Sequence, residues 1–296
     1  MAPVYKVAII QLQAKPLAVK ENFTRAANFI RDASAQGAHL AVLPEYHLTS
    51  WEPGHPDFVS ACAESVTYLP RYQALARDLN INIVPGTICI AEETKGSSPT
   101  TANPEPKLRT YNTAHFIAGG TGEIISSYQK RNLWHPERPH LTPGTAPHTA
   151  FDTPLTLEAD DGPRPLRAGI LICWDLAFPE PFRQLIADNA DMIIVPSFWR
   201  LSDIDSGGRE LNPDSERLFL ESVTVARAFE NTCAVVFCNV GGFSQVAMPI
   251  LGARGKLMPE AEEMSVVDID FSILRLAEDN YKIREDMARK GWQYAA

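Results

Sequence analysis

The stretch Leu166-Arg167-Ala168-Gly169-Ile170-Leu171-Ile172-Cys173-Trp174-Asp175-Leu176-Ala177-Phe178-Pro179-Glu180 decides the fold class. From Ala168 to Ile172 the chain is apolar and uncharged, a run short enough to form a strand buried on both faces. Beyond Cys173 the period changes. Phe178, Phe182, Leu185 and Ile186 fall at helical spacing, and Pro179 and Pro181 suit the first turn of a helix. Cys173 therefore stands where a buried strand turns into a helix. Backbone N–H groups just beyond such a turn can lower a thiol pKa and hold its side chain firmly. The same position also fits an inert, buried structural thiol.

Outward from this unit, strands and helices alternate. Tyr5–Leu12 reads as a first strand, and Lys20–Gln36 as an amphipathic helix burying Phe23, Ala26, Ala27, Ile30 and Ala33, with Gly37 capping it. His39–Leu43 is a second strand running into Pro44-Glu45-Tyr46. Tyr68–Leu79 reads as helix, Ile81–Ile90 as a strand broken at Pro85-Gly86, and Glu92–Lys107 as a surface insert. Leu108–Ile117 and Glu123–Gln129 form a hairpin around Gly119-Gly120-Thr121-Gly122, which lacks the Lys-Ser/Thr of a phosphate loop. Arg131–Thr149 is irregular, and Asp160–Pro165 is a turn into the central strand.

Met192–Val195 is a buried strand ending in Pro196-Ser197-Phe198-Trp199, and Leu201–Pro213 is a polar loop. Asp214–Glu230 is a helix capped by Asp214, with Leu218, Val225 and Phe229 inward. Thr232–Asn239 is a strand on which Cys233 and Cys238 face opposite sides, so they cannot share a metal. Ser265–Ile269 and Phe271–Leu276 close the domain. The pattern predicts one α/β domain over residues 1–296, with a core of about 5–270 and a tail of about 271–296.

Composition narrows the function. A formal charge of −9 argues against nucleic acid or an anionic membrane as the main partner. No apolar run approaches the length of a membrane span, and the first residues lack the basic start and apolar core of a signal peptide. The five scattered cysteines form no disulfide framework, which predicts a reducing, cytoplasmic location.

Three strand ends carry reactive side chains: Glu45, Lys130 and Cys173. Each alone is an ordinary solvated or buried residue. Together they supply a thiol, a carboxylate able to take its proton, and a cation to stabilise both the thiolate and an oxyanion. These residues resemble the nitrilase superfamily of carbon–nitrogen hydrolases. The matching motifs are Leu43-Pro44-Glu45, Tyr128-Gln129-Lys130-Arg131-Asn132-Leu133, Trp134-His135-Pro136-Glu137-Arg138, and Ile172-Cys173-Trp174-Asp175 with Phe178-Pro179-Glu180. Tyr111-Asn112-Thr113, Val195-Pro196-Ser197-Phe198-Trp199 and Ala226-Arg227-Ala228-Phe229-Glu230-Asn231 extend the resemblance, in family order, over about residues 5–270.

The resemblance implies a four-layer αββα sandwich, a homodimer or higher homo-oligomer, and chemistry with no metal or organic cofactor. It implies Cys173 as nucleophile, Glu45 as proton carrier, and Lys130 with the Trp174 backbone N–H as oxyanion donors, with Glu137 helping to position substrate and Lys130. The expected substrate is a small-molecule amide. A nitrile, or an N-carbamoyl compound, is the alternative. Family members acting on N-carbamoyl amino acids or small acid amides often carry arginine just after the Cys-x-Asp element, where Leu176 and Ala177 stand here. Many nitrilases carry Cys-Trp-Glu, so Asp175 favours amides. Tyr46, Trp51, Trp134, Phe198 and Trp199 are expected at the mouth, where they would suit an apolar or small neutral substrate or else simply pack the core. A metal-dependent phosphoesterase would need Asp/Asn/His clusters that the seven histidines do not form, and a non-catalytic interaction protein would be expected to have lost one of the three reactive residues.

Overall fold

Alternation along single strands sets the layers. In the computed structural model, which describes residues 4–94, 107–159 and 161–292, the first strand β1 (Val4–Gln11) sends Val7 and Ile9 into one core and Ala8 and Ile10 into another. The chain continues through α1 (Val19–Ala35), β2 (Leu40–Val42), α2 (Phe58–Val66), α3 (Leu69–Leu79), β3 (Asn82–Val84), β4 (Thr87–Thr94), β5 (Lys107–Ile117) and β6 (Ile124–Gln129). Its second half runs through β7 (Phe151–Leu157), β8 (Arg164–Ile170), α4 (Pro179–Ala187), β9 (Met192–Ser197), α5 (Ser206–Leu211), α6 (Ser215–Glu230) and β10 (Ala234–Asn239). It ends with β11 (Gln245–Met248), β12 (Gly252–Arg254), β13 (Glu263–Asp270), α7 (Ser272–Tyr281) and α8 (Ile283–Ala288).

Among the described residues the strands form two sheets. One has the order β13-β1-β2-β3-β5-β4, with β6 also paired to β5, and the other the order β12-β11-β10-β9-β8-β7. The centre of each sheet is parallel: β1, β2 and β3 in the first, β8, β9 and β10 in the second. Val7, Ile9, Leu40 and Val42 of the first sheet share a core with Leu166, Ile193 and Val235 of the second. The outer face of the first sheet, with Ala8, Ile10, Ala41 and Ile83, packs against Ala26 and Ile30 of α1 and Tyr72 and Ala76 of α3. Phe182 and Leu185 of α4 and Leu220 and Ala228 of α6 cover the second. The result is the expected four-layer αββα sandwich. Each fully buried Leu, Ile or Phe in these layers stabilises it by about 1.5–3 kcal/mol. Cys238 faces the inter-sheet core, its Sγ 3.2 Å from the carbonyl oxygens of Ile10 and Val42, while Cys233 Sγ approaches Arg227 O on the helix side.

Several elements depart from the pattern reading. Phe178 precedes α4 and is 37% exposed, so the buried face of α4 begins at Phe182. In α6, Leu218 and Phe229 point outward and Val225 is half-buried, while Leu220, Val223, Thr224, Arg227 and Ala228 point inward. The inward stripe is polar enough to disguise the phase of this helix. Asp214 makes no side-chain cap and instead pairs with Arg217. In α1, Phe23 is half-buried, and Asn22 takes a buried place by donating to the carbonyls of Lys15 and Leu48. Leu201–Pro213 contains the short helix α5. β8 starts at Arg164, inside the expected turn, of which Asp160 lies outside the described residues. Of the expected insert, residues 92–94 and Lys107 belong to β4 and β5, and residues 95–106 lie outside the described residues. The strands β7, β11 and β12 and the helix α2 are additional to the expected elements; β7 buries alternate residues, Thr153, Leu155 and Leu157.

Candidate active site

Glu45, Lys130 and Cys173 all stand just past strand ends, at the rim where the two sheets meet. Leu43 N–H donates to Val84 O at 3.0 Å, carrying the chain out of β2 along its neighbour β3 before Pro44 turns it. Gly86, at φ 54°, makes room for this turn, since a Cβ there would lie 1.9 Å from Pro44 O. Lys130 is fixed at the end of β6 by its N–H to Asn112 O and by Gly144 N–H to its own carbonyl, both 2.9 Å. Cys173 follows β8 with φ 46°, a left-handed conformation that costs a non-glycine residue about 1–3 kcal/mol and throws its side chain out of the strand direction. A short 3-10 turn, Cys173–Ala177, comes next, and the helix then starts at Pro179, with Pro179 and Pro181 in its first turn as their positions predict.

Asp175 holds this turn in place. Fully buried, it accepts hydrogen bonds from Ile172 N–H (2.9 Å), Tyr128 Oη (2.8 Å), Asn132 N–H (3.2 Å) and Asn132 Nδ2 (2.8 Å). It thereby joins the cysteine turn to the segment flanking Lys130. Burial raises its pKa, and the hydrogen bonds from Ile172 and Tyr128 oppose that rise.

The ionic core is a buried Glu45–Lys130–Glu137 triad. Lys130 Nζ lies 2.8 Å from Glu45 Oε1 and 2.8 Å from Glu137, and all three side chains are at most 3% exposed. Asn112 Nδ2 donates to Glu45 Oε1 at 2.7 Å and Phe198 N–H to Oε2 at 2.9 Å. The Phe198 bond ties the first sheet's carboxylate to the end of β9 in the second. Glu137 is held by Trp134 N–H at 2.7 Å and by the Tyr46 hydroxyl at 2.5 Å. A lone buried ammonium would be prohibitively costly, and two carboxylates with further donors make this one tolerable.

Burial and mutual charge shift the titration of these groups. Burial pushes Glu45 up to about 7 despite the opposing charge of Lys130, with Glu137 adding to the rise. Burial works against the charge on Lys130, but Glu45, Cys173 and Glu137 together raise its pKa, so it stays protonated. Burial and the Glu45 charge raise the Cys173 thiol well above its ordinary range, with Lys130 opposing. Tyr46 is raised by burial and by both glutamates, and so remains a donor.

Trp174 and the aromatic residues expected at the mouth, Tyr46, Trp51, Trp134, Phe198 and Trp199, line one cavity of about 240 Å³ together with Glu45, Lys130, Glu137 and Cys173. Trp51 is stacked on Tyr46 with centroids 4.9 Å apart. Two lining residues escaped sequence reasoning: Asp203, in what reads as a solvated polar loop, and Glu216, in the first turn of α6. Asn112 was visible only as part of a motif. Among the described residues no group of three or more His, Cys, Asp or Glu side chains is placed to hold a metal ion. None of the described helices is long and apolar enough to cross a membrane.

Residues 6–278 match the carbon–nitrogen hydrolase family model, and the chain belongs to that family, in the nitrilase superfamily. It is thus a hydrolase of carbon–nitrogen bonds other than peptide bonds. It is 30% identical over 198 residues to a nitrilase from Pyrococcus abyssi, a match covering 65% of this chain and 64% of that protein. It is 26% identical over 225 residues to the 2-oxoglutaramate amidase of Bacillus subtilis, covering 75% of this chain and 71% of the relative. The fold matches an amidase from Nesterenkonia sp. with a TM-score of 0.67 and 24% identity over 92% of both chains.

Proposed function

We propose that the chain is a cysteine amidase that hydrolyses a small non-peptide amide to a carboxylic acid and ammonia through a thioester. The observation that carries this reading is the Lys130 ammonium clamped at 2.8 Å by Glu45 and Glu137, in the same cavity as a cysteine on a left-handed turn. Glu45 takes the Cys173 proton as sulfur attacks the amide carbon. The C=O electron pair moves onto oxygen, where Lys130 and the Trp174 backbone N–H stabilise it. The tetrahedral species collapses, the C–N bond breaks, and the departing nitrogen takes the proton from Glu45 and leaves as ammonia. Water then gives a proton to Glu45 and attacks the thioester carbon. The C–S bond breaks, the thiolate recovers the proton, and the acid departs. A carboxyl group poised near 7 can both accept and return this proton at neutral pH. Glu137 touches Lys130 and acts as a positioning residue.

The test is ammonia release from matched amide and nitrile panels by the wild type and by Cys173→Ala. Amide turnover lost in the variant supports the proposal. Nitrile turnover with amides inert would favour the nitrilase alternative, and release persisting in the variant would eliminate the thiol mechanism.

A further inference from the structure

The cavity is charged in a way that its aromatic walls do not suggest. Lys130 is the one basic side chain among its described lining residues, and both neighbouring glutamates engage it. Toward the mouth stand two further carboxylates, Asp203 and Glu216, both only partly exposed. Trp199 Nε1 donates to Glu216 Oε2 at 2.6 Å, and Arg200 N–H to Asp203 Oδ2 at 2.9 Å, and each carboxylate keeps its second oxygen clear of these bonds. Two arginines stand near this rim. Arg209 Nη2 donates to the carbonyls of Ser202 (3.4 Å) and Ile204 (3.2 Å) on either side of Asp203, is exposed and lies outside the lining. Arg200 is the other; it too is exposed and outside the lining, and it rests its guanidinium 4.5 Å over the Phe198 ring. Trp174 and Trp199, with centroids 5.1 Å apart, and Trp134 supply indole faces, which attract cations and bury alkyl chains.

We propose that Asp203 and Glu216, with the tryptophan walls, select an amide whose far end carries a cationic amine, such as an ω-amino amide. This rests on the amidase reading of the same cavity. It revises the expectation of an apolar or neutral substrate, because two carboxylates repel an anionic tail and leave a neutral one without a partner for their charge. Burial raises the Asp203 pKa, with the Glu216 charge adding to the rise and the Arg200 N–H bond and charge opposing it. The 2-oxoglutaramate amidase relative is named for a substrate of the opposite charge, so the proposal separates this chain from it.

The experiment compares kcat/KM for three matched series of primary amides. The cationic series is β-alaninamide, γ-aminobutyramide and δ-aminovaleramide. The neutral series is butyramide, valeramide and hexanamide, and the anionic series is malonamate, succinamate and glutaramate. The expected result is that the cationic member is preferred at one or more lengths. The cationic-to-neutral ratio is expected to fall by roughly tenfold in Asp203→Asn or Glu216→Gln, the scale of one partly buried charge pair. Glu216→Gln keeps an acceptor for Trp199 Nε1, so its effect reports charge rather than folding. Asp203→Lys should move the preference toward the anionic series. Cys173-dependent turnover that favours neutral or anionic amides at every length overturns the inference and leaves the amidase reading standing. Absence of Cys173-dependent turnover in all three series overturns both.

Discussion

Replacing Asp175 by Asn tests whether the buried carboxylate that joins the cysteine turn to the lysine segment governs catalysis. The substitution preserves shape and removes one acceptor. Four donors converge on Asp175, at distances from 2.8 to 3.2 Å. The new amide must turn its own N–H groups toward either Ile172 and Tyr128 or Asn132, so two donors lose their partner. Hydrogen bonds to a buried charge contribute about 1.5–3 kcal/mol each, and partial relaxation brings the expected loss to about 3 kcal/mol. For a chain of this size that lowers Tm by roughly 5–8 °C. The larger effect is on alignment, because Cys173 and Lys130 lose their common anchor, and a displacement of about 1 Å costs up to ~100-fold. Calorimetry and amide kcat/KM, measured well below the melting transition, separate the two. The expected outcome is a lowered Tm with kcat/KM down by about ten- to a hundredfold in the folded enzyme. A lowered Tm with undiminished kcat/KM would refute the alignment argument, and an unchanged Tm would refute the hydrogen-bond argument.

Other perturbations read different parts of the site. Glu45 must be ionised to accept the thiol proton, so kcat/KM should fall as pH drops, with an ascending limb near the value of about 7 to which burial pushes this residue. A pH–rate profile checks this, and Glu45→Gln should abolish the limb and reduce activity by about 10²–10⁴-fold. Glu137→Gln leaves Lys130 with one carboxylate and disturbs the bonds from Tyr46 and Trp134. Breaking a buried pair in this way should destabilise the fold by about 3–5 kcal/mol, read by urea unfolding, and lower kcat. Full turnover with unchanged substrate affinity would remove Glu137 from the site. Gly86→Ala places a Cβ 1.9 Å from Pro44 O at φ 54°, so the turn carrying Glu45 must move. The expected result is a stability loss above about 2 kcal/mol together with reduced kcat.

The layers were legible in the sequence because apolar runs such as Ala168–Ile172 and Met192–Val195 are short, uncharged and followed by a change of pattern, and Glu45, Lys130 and Cys173, which the structure gathers into one cavity, stand where such strands give way to loops. A strand end that meets a loop is where α/β proteins place chemistry. The phase of α6 was not legible, since Thr224 and Arg227 take inward positions that an apolar stripe assigns to Leu218 and Phe229. Arg227 earns its place by reaching the carbonyls of Leu176 and Ala177 just past the cysteine turn, a long-range contact with no local signature. Asp203 and Glu216 were hidden for a similar reason. Charges in a polar loop and in a first helical turn are normally solvated, and only the tertiary fold brings them beside the cavity. In sequence Asp175 points to substrate type, whereas in the structure its hydrogen bonds hold the turn.

In the proposed mechanism everything turns on an acyl thioester at Cys173. The most direct measurement is rapid-quench mass spectrometry of the enzyme during turnover of a slowly hydrolysed amide, followed by peptide mapping. The expected result is an added acyl mass on the peptide containing Cys173, absent in Cys173→Ala and accumulating before the acid is released. Turnover without any acyl-enzyme under conditions that trap thioesters, or an adduct on another residue, would contradict it.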